Sequence, residues 1–277
     1  MAKHTLGKRA VFSLTGSDAI RYLNGQVTQD VRRLLTDPAS ALATCVTDAK
    51  GRLQALATLY LNDTQKPEIL IESAPELREM LHARLSRYLI ADDAEIADVS
   101  DKWILQHHLG HAPTGKSYAY PRLGVTGFDQ WVPADVAVTL EDEMNHLEAD
   151  KIRIEHGVPQ WDEDLQSGML PQEAGLEALT LSFQKGCYIG QEVISRIKSA
   201  GKLNRILQKF RLCNDQVVKG AELLSFDGQE VVGTLSSVAF PHALGFLHKK
   251  GYSQKTFDLR LPNGCVLAQA VAIADAR

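Results

Sequence analysis

What this 277-residue chain lacks narrows it first. No apolar run approaches the length of a bilayer span, and the opening MAKHTLGKRAVF has no apolar signal core. A cytoplasmic protein is therefore expected, or a soluble one without its targeting segment. The four cysteines, Cys45, Cys187, Cys213 and Cys265, are far apart and form no CxxC. That spacing argues against a disulfide framework and against an intrinsic iron–sulfur or zinc site, so no metal site is expected. HHLGH (His107, His108, His111) matches no common zinc spacing either. Positive charge is not in excess: the net charge is −4, which argues against a nucleic-acid binder with an extended basic footprint. No Walker loop, GxGxxG, HExxH, internal repeat or low-complexity tract occurs.

What is present is enough apolar content, 44%, for a proper core, in a chain long enough for two or three packed units. LTGSDAIRYLNGQVTQDVRRLL predicts a helix capped by Ser17 or Asp18, with Ile20, Leu23, Val27, Val31 and Leu34 on one face. Gly25 inside it reads as a break, a close approach, or a tolerated helical glycine. ALATCVTDAKGRLQALATLYL predicts two strands about a turn at Asp48–Gly51, and EILIES a third. APELREMLHARLSRYL is an amphipathic helix with Leu77, Leu81, Leu85 and Leu89 inward. AEIADVS and WILQHHLG are further strands, with strand pieces in SYAY and QWVP. EDEMNHLEADKIRIEHG predicts a long helix closed by Gly157. From about Leu203, short strands alternate with turns at 218–220, 227–228, 241–245 and 262–264, the pattern of a small antiparallel barrel or sandwich. Strands, then a helix, then strands describe an antiparallel α+β unit.

One stretch is not fold punctuation: LSFQKGCYIGQEV, residues 181–193. Lys185 lies two positions from Cys187, and a nearby lysine favours a thiolate. Gly186 and Gly190 let the backbone bend and offer amides to a ligand. Cys187 is therefore read as functional, and the other three cysteines, in apolar strand patterns, as packing. A Cys–His nucleophile pair finds no local partner motif. In LPQEAGLE, Pro171 and Gly175 bracket Glu173. A carboxylate on such a turn can accept two N–H bonds from a flat heterocycle, as a pterin or guanine edge offers; the plain alternative is a solvated loop acid.

With these residues in view, the chain resembles the YgfZ-type folate-binding proteins, relatives of the glycine cleavage T-protein, an aminomethyltransferase. The family signature K-G-C-[FY]-x-G-Q-E is complete as Lys185, Gly186, Cys187, Tyr188, Ile189, Gly190, Gln191 and Glu192. LNGQVTQDV is similar to the family's N-terminal helix, VTDAKGRLQA to its first hairpin, RIEHGVPQWDEDLQSGMLPQEAGL to the segment before the signature, and VGTLSSVAFPHALGFLHKK to its C-terminal barrel. The resemblance implies an α+β fold of three subdomains around a central folate pocket, with a C-terminal antiparallel β-barrel. Residues 1–200 would be the folate-binding region, with a ferredoxin-like subdomain inserted at roughly 42–135, and 203–277 the barrel. It implies tetrahydrofolate or a derivative as cofactor. Folate and iron–sulfur enzymes or their assembly factors would be the partners, with no membrane.

By the same resemblance Glu173 holds the pterin and Arg205 lies near the folate tail. Lys185, Gly186, Tyr188, Gly190 and Gln191, with Asn24 and Gln26 of the first helix, complete the expected folate contacts. Cys187 is the candidate catalytic residue. The chain also departs from T-proteins. They carry an Asn and a catalytic Asp after the strand matching EILIES, where the nearest acids here are Glu72 and Glu79, and they lack the Lys-Gly-Cys signature. Both departures point away from plain aminomethyl transfer. The leading expectation is a folate-dependent protein supporting assembly or repair of iron–sulfur enzymes. The alternatives are a folate-dependent one-carbon transferase and a binding module without chemistry.

Overall fold

The computed structural model describes residues 2–136 and 142–273. The chain runs β1 (Lys3–Leu6), β2 (Ala10–Thr15), α1 (Ala19–Gln26), a short α2 (Arg33–Thr36), β3 (Leu42–Thr47), β4 (Leu53–Asp63), β5 (Glu68–Ser73), α3 (Arg78–Ser86), β6 (Glu95–Asp98), β7 (Trp103–Leu109), β8 (Tyr118–Ala119) and β9 (Gly127–Pro133). Helices α4 (His146–Glu155), α5 (Glu177–Thr180) and α6 (Gln191–Ala200) follow. The chain ends in β10 (Arg205–Leu212), β11 (Glu222–Leu224), β12 (Val231–Ala239), β13 (His242–His248), β14 (Thr256–Arg260) and β15 (Val266–Ile273).

Side-chain alternation assigns the layers. Successive strand residues face opposite sides of a sheet. In the five-stranded antiparallel sheet β3-β4-β5-β2-β6, one set of positions (Phe12, Leu14, Leu59, Ile69, Ile71) packs with Leu23 of α1 and Leu81 and Leu85 of α3. The alternate set (Val11, Tyr60, Leu70) packs with Tyr118, Trp103 and Trp131 of a four-stranded sheet, β1-β7-β9-β8. The first sheet is therefore buried on both faces, which is why its strands read as near-continuous apolar runs. Cross-strand register lines up Val11, Glu72 and Thr58 in one row of that second face.

The last six strands close into a barrel, β10-β13-β12-β11-β14-β15, around Phe210 and Phe257, whose rings meet edge to face at 5.8 Å. Closure removes the unpaired edges that an open sheet of such short strands would carry. Helix α4 lies against β12 and β13 and joins the barrel to the rest.

Several local expectations shift. Helix α1 stops at Gln26, because Val27 turns extended and bridges to Val46 of β3. A Cβ at Gly25 would meet nothing within 4 Å, so this glycine is a tolerated helical one. Neither Ser17 nor Asp18 caps the helix through its side chain; Ser17 Oγ donates to Asp93 and Asp18 accepts from Asp93 N. The helix expected over 141–157, whose residue 141 lies outside the described residues, begins only at His146. Asn145 and Glu148 form a reciprocal capping box there. The turn expected at 241–245 is tighter, since β13 already starts at His242. Cys213 and Cys265 are exposed and only Cys45 is buried, so two of the three presumed packing cysteines are not packed.

Candidate ligand-binding site

The signature loop is built from its lysine. Lys185 is buried, and its ammonium donates to the carbonyls of Asn24 (2.6 Å), Gln29 (2.7 Å) and Val27 (2.8 Å). These are the last carbonyls of α1 and of the turn that follows, groups a helix end leaves without partners. Burial pulls Lys185 down to about 7, with Asp30 opposing and Arg32 assisting. Three carbonyl acceptors work against that pull, because only the ammonium has three protons to give. The Tyr188 ring lies 5.1 Å from the same nitrogen. Lys185 thus faces inward, its protons committed, while Cys187 two residues on is exposed.

The glycines do different work. Gly186 is exposed, and a Cβ there would meet nothing. Gly190 has φ +89° at the start of α6, and a Cβ on it would come 2.5 Å from the Asp48 carbonyl oxygen. Thr47 Oγ1 donates to the Ile189 carbonyl (2.6 Å), and Gln191 N donates to Tyr188 O. The motif is thereby clamped to the β3–β4 turn. Tyr188 packs with Leu181 and Ile194, and burial pushes its phenol up to about 12. Asn24 Oδ1 accepts from Val31 N, and Gln26 Oε1 accepts from Arg84. Glu173 sits on the expected turn, with Gly175 at φ +70°. Its carboxylate accepts from Arg205 Nε at 3.3 Å, and its own carbonyl accepts from Leu207 N of the barrel. The structure therefore sorts the expected site residues into a motif cluster (Asn24, Lys185, Gly186, Cys187, Tyr188, Gly190, Gln191), the Gln26–Arg84 bond nearby, and the Glu173–Arg205 pair at the barrel.

None of these residues lines the half-open cavity of about 220 Å³ that lies where the second face of the five-stranded sheet meets α4 and the segment 158–161. Its apolar wall includes Leu56, Tyr120 and Trp161, and its polar end holds Arg9, Glu72 and Arg122. Glu72 is fully buried. It accepts from Arg9 Nε (2.6 Å) and from Arg122 Nη2 (3.1 Å), and Arg9 Nη2 also pairs with it. Burial works to raise this carboxyl; Arg122 and Arg9 outweigh it and hold Glu72 below the usual carboxylate range. Behind it, Arg122 Nη2 donates to Asp129 (2.7 Å) and to Tyr60 Oη (2.6 Å), and His107 Nδ1 contacts Asp129 at 2.8 Å. The other wall is tied down in the same way. Arg153 bonds Asp150 (2.5 Å), buried Asp164 (3.0 Å) and Ser237 of the barrel (3.1 Å).

Arg9, Arg122, Arg153 and Trp161 escaped the sequence reading. The one available signal was Glu72, an acid at the face-alternating position of the apolar strand EILIES. Such a residue requires buried cations, and those come from segments that no local pattern links.

No established family profile matches the chain. It is 31% identical to the tRNA-modifying protein YgfZ of Shigella dysenteriae over 230 residues, covering 73% of this chain and 69% of that one. It is 30% identical to the protein of the same name in Escherichia coli O157:H7, with the same coverage, and 29% identical to that of Yersinia enterocolitica over 225 residues, 72% of this chain and 67% of the relative. Among solved structures, the glycine cleavage system aminomethyltransferase T of Bartonella henselae superposes with a TM-score of 0.82 at 14% identity, covering 98% of this chain and 84% of the other. The shared fold is thus that of the T-protein.

Proposed function

Because the chain belongs to the family of the tRNA-modifying protein YgfZ, we propose that it binds tetrahydrofolate or a derivative in the central cavity and supports the assembly or repair of iron–sulfur enzymes, in the cytoplasm. The observation that carries the folate reading is the cavity itself, flanked by Trp161, Tyr120 and Leu56 and ending at the polar side chains of Arg9, Glu72 and Arg122. A flat heterocycle with a hydrogen-bonding edge fits that combination of wall and end. The iron–sulfur role follows the resemblance of the Lys185–Glu192 signature. The relatives' name adds tRNA modification, and the two readings meet if the enzymes served act on tRNA.

One-carbon transfer by proton exchange is the weaker reading, for a reason visible in the wall. Glu72 and Asp150, its carboxylates, are each paired with a guanidinium. Arg122 and Arg9 hold Glu72 below its ordinary range against the pull of burial, and a carboxylate so held is a poor acid or base near neutrality. A thermal-shift titration with tetrahydrofolate and its formyl derivative tests the proposal. At 100 times the dissociation constant the protein should gain about 2.7 kcal/mol. Trp161→Ala should cut the affinity while leaving the signature loop in place. An unchanged melting temperature with every folate tried would remove the folate reading. Transfer of one-carbon units from a small amine to tetrahydrofolate at an enzymatic rate would favour the transferase.

A further inference from the structure

A second, open cleft of about 480 Å³ shares no lining residue with the cavity described above. It lies beside the signature, between the turn that follows α1 (Gln29, Asp30), Arg33 of α2, the loop 181–184 and Lys198 of α6. Its walls are held from behind. Gln29 Nε2 donates to the Leu179 carbonyl (3.1 Å), and the Gln29 carbonyl accepts from Lys185 (2.7 Å). Ser182 N donates to the Thr28 carbonyl (3.0 Å). The cleft is therefore formed before anything enters it, and the loop that makes one of its walls runs straight into Lys185 and Cys187.

The charges of the cleft do not cancel. Asp30 has both carboxylate oxygens spent on Arg32: Oδ1 accepts from Arg32 N (3.1 Å) and Nε (2.8 Å), and Oδ2 from Nη2 (2.6 Å). The exposed Arg33 guanidinium makes no hydrogen bond or ion pair with the described residues. The Lys198 ammonium rests on the Phe183 ring, 3.6 Å from its centroid, and meets Glu177 only at 3.7 Å. The hydroxyl of Ser182 also bonds to none of the described residues. Open donors thus come from α2, from the loop and from α6, in a chain whose net charge is −4. An ammonium ligand would meet two cations and an acid that is already taken. A carboxylate is planar, and the Arg33 fork alone satisfies its two oxygens. A tetrahedral oxyanion points oxygens in several directions, so the fork, the point charge of Lys198 and the Ser182 hydroxyl can all be used. A nucleic-acid strand would ask for a row of cations, and the cleft has two. We propose that this cleft binds the phosphate group of a small phosphorylated ligand, held between Arg33 and Lys198. The proposal does not depend on what the Trp161 cavity holds.

Titration of the full, isotope-labelled chain with pyrophosphate, inorganic phosphate and acetate, followed by backbone amide NMR, makes the test. Pyrophosphate and phosphate should shift the amides of residues 29–33, 182–184 and 198, and should bind about tenfold more tightly than acetate. Arg33→Gln and Lys198→Gln each remove one cation from an exposed position. Each should weaken pyrophosphate binding about fivefold with the melting temperature unchanged. Glu177→Gln releases Lys198 from its loose partner and should tighten binding. Acetate binding as tightly as phosphate, shifts centred elsewhere, no shift at millimolar pyrophosphate, or folded Arg33→Gln and Lys198→Gln variants that bind like wild type would each overturn the site. A short oligouridylate binding more tightly than pyrophosphate would overturn the small ligand and place the phosphate on a nucleic-acid strand.

Discussion

A single buried residue, Asp129, sets how the molecule meets acid. Burial alone would raise its carboxyl, but Arg122 and the hydrogen bonds from His107 and Arg122 pull it down to about 2, below the ordinary 3.8. A carboxyl with a depressed folded value stabilises the fold fully above its unfolded value and loses that contribution as pH falls through the folded one. The window is therefore about pH 4 down to pH 2, and the amount on the order of 2 kcal/mol. Asp129→Asn should lose about 3 kcal/mol at pH 7, since Arg122 is left short of a partner. Its stability should then fall less steeply than wild type below pH 4, as read from urea titrations at stepped pH. Lys185 is the second residue of this kind. Lys185→Met strips three carbonyls of their donor and should cost about 3 kcal/mol at neutral pH, measured by chemical denaturation. Its importance was legible in the sequence as part of an unusual octapeptide. Its task was not, because the partners, Asn24, Val27 and Gln29, lie in a helix end that nothing near residue 185 indicates.

At the scale of elements, period-2 and period-3.6 patterns carried most of the information. The β3–β4 hairpin, the strand EILIES, helix α3 and the barrel strands were all readable, because each has an apolar side with one fixed spacing. What was unreadable was where elements stop. Helix α1 ends where Val27 finds a strand partner, and α4 starts where Asn145 finds Glu148, and neither event changes the apolar period. Helix α6 shows how such an end is fixed. It begins at Gly190, whose positive φ seats it against the β3–β4 turn, with Gly51 (φ +69°) on the other side of the contact. Gly190→Ala would need both a left-handed alanine and a displaced Asp48 carbonyl. It should cost about 2–4 kcal/mol by denaturant titration. Gly186→Ala, on open surface four residues earlier, should stay within about 1 kcal/mol.

Over the whole molecule, a buried arginine ties the barrel to the sheets, beside the Glu173 contacts with Arg205 and Leu207. Arg153 on α4 lines the cavity, and it also bonds Asp164 and the barrel's Ser237; Asp164 in turn accepts from Ser236 and Ser237. Arg153→Met leaves the Asp164 carboxylate buried without its cation and should cost about 3–5 kcal/mol. Unfolding followed by Trp161 fluorescence and by barrel amide exchange should then separate into two transitions where wild type shows one. A single coincident transition in a folded variant would show that the coupling lies elsewhere. The T-protein architecture was accessible only by resemblance, since a cavity assembled from β1, β4, β5, the segment 120–123, α4 and the 158–161 segment has no signature in any one of them.

The Lys185 contacts also bear on the order in which the chain can be completed. Helix α1 emerges early in synthesis, yet the nitrogen that satisfies its Asn24 carbonyl arrives 161 residues later. At roughly 5–20 residues per second, that is a delay on the order of 10–30 s. Throughout it the nascent first sheet must hold together with the end of its own helix unfinished and the Asp48 turn uncovered. A ribosome-bound chain halted before residue 185 should therefore be cut by protease near residues 24–29, and one released beyond the end of α6 should resist.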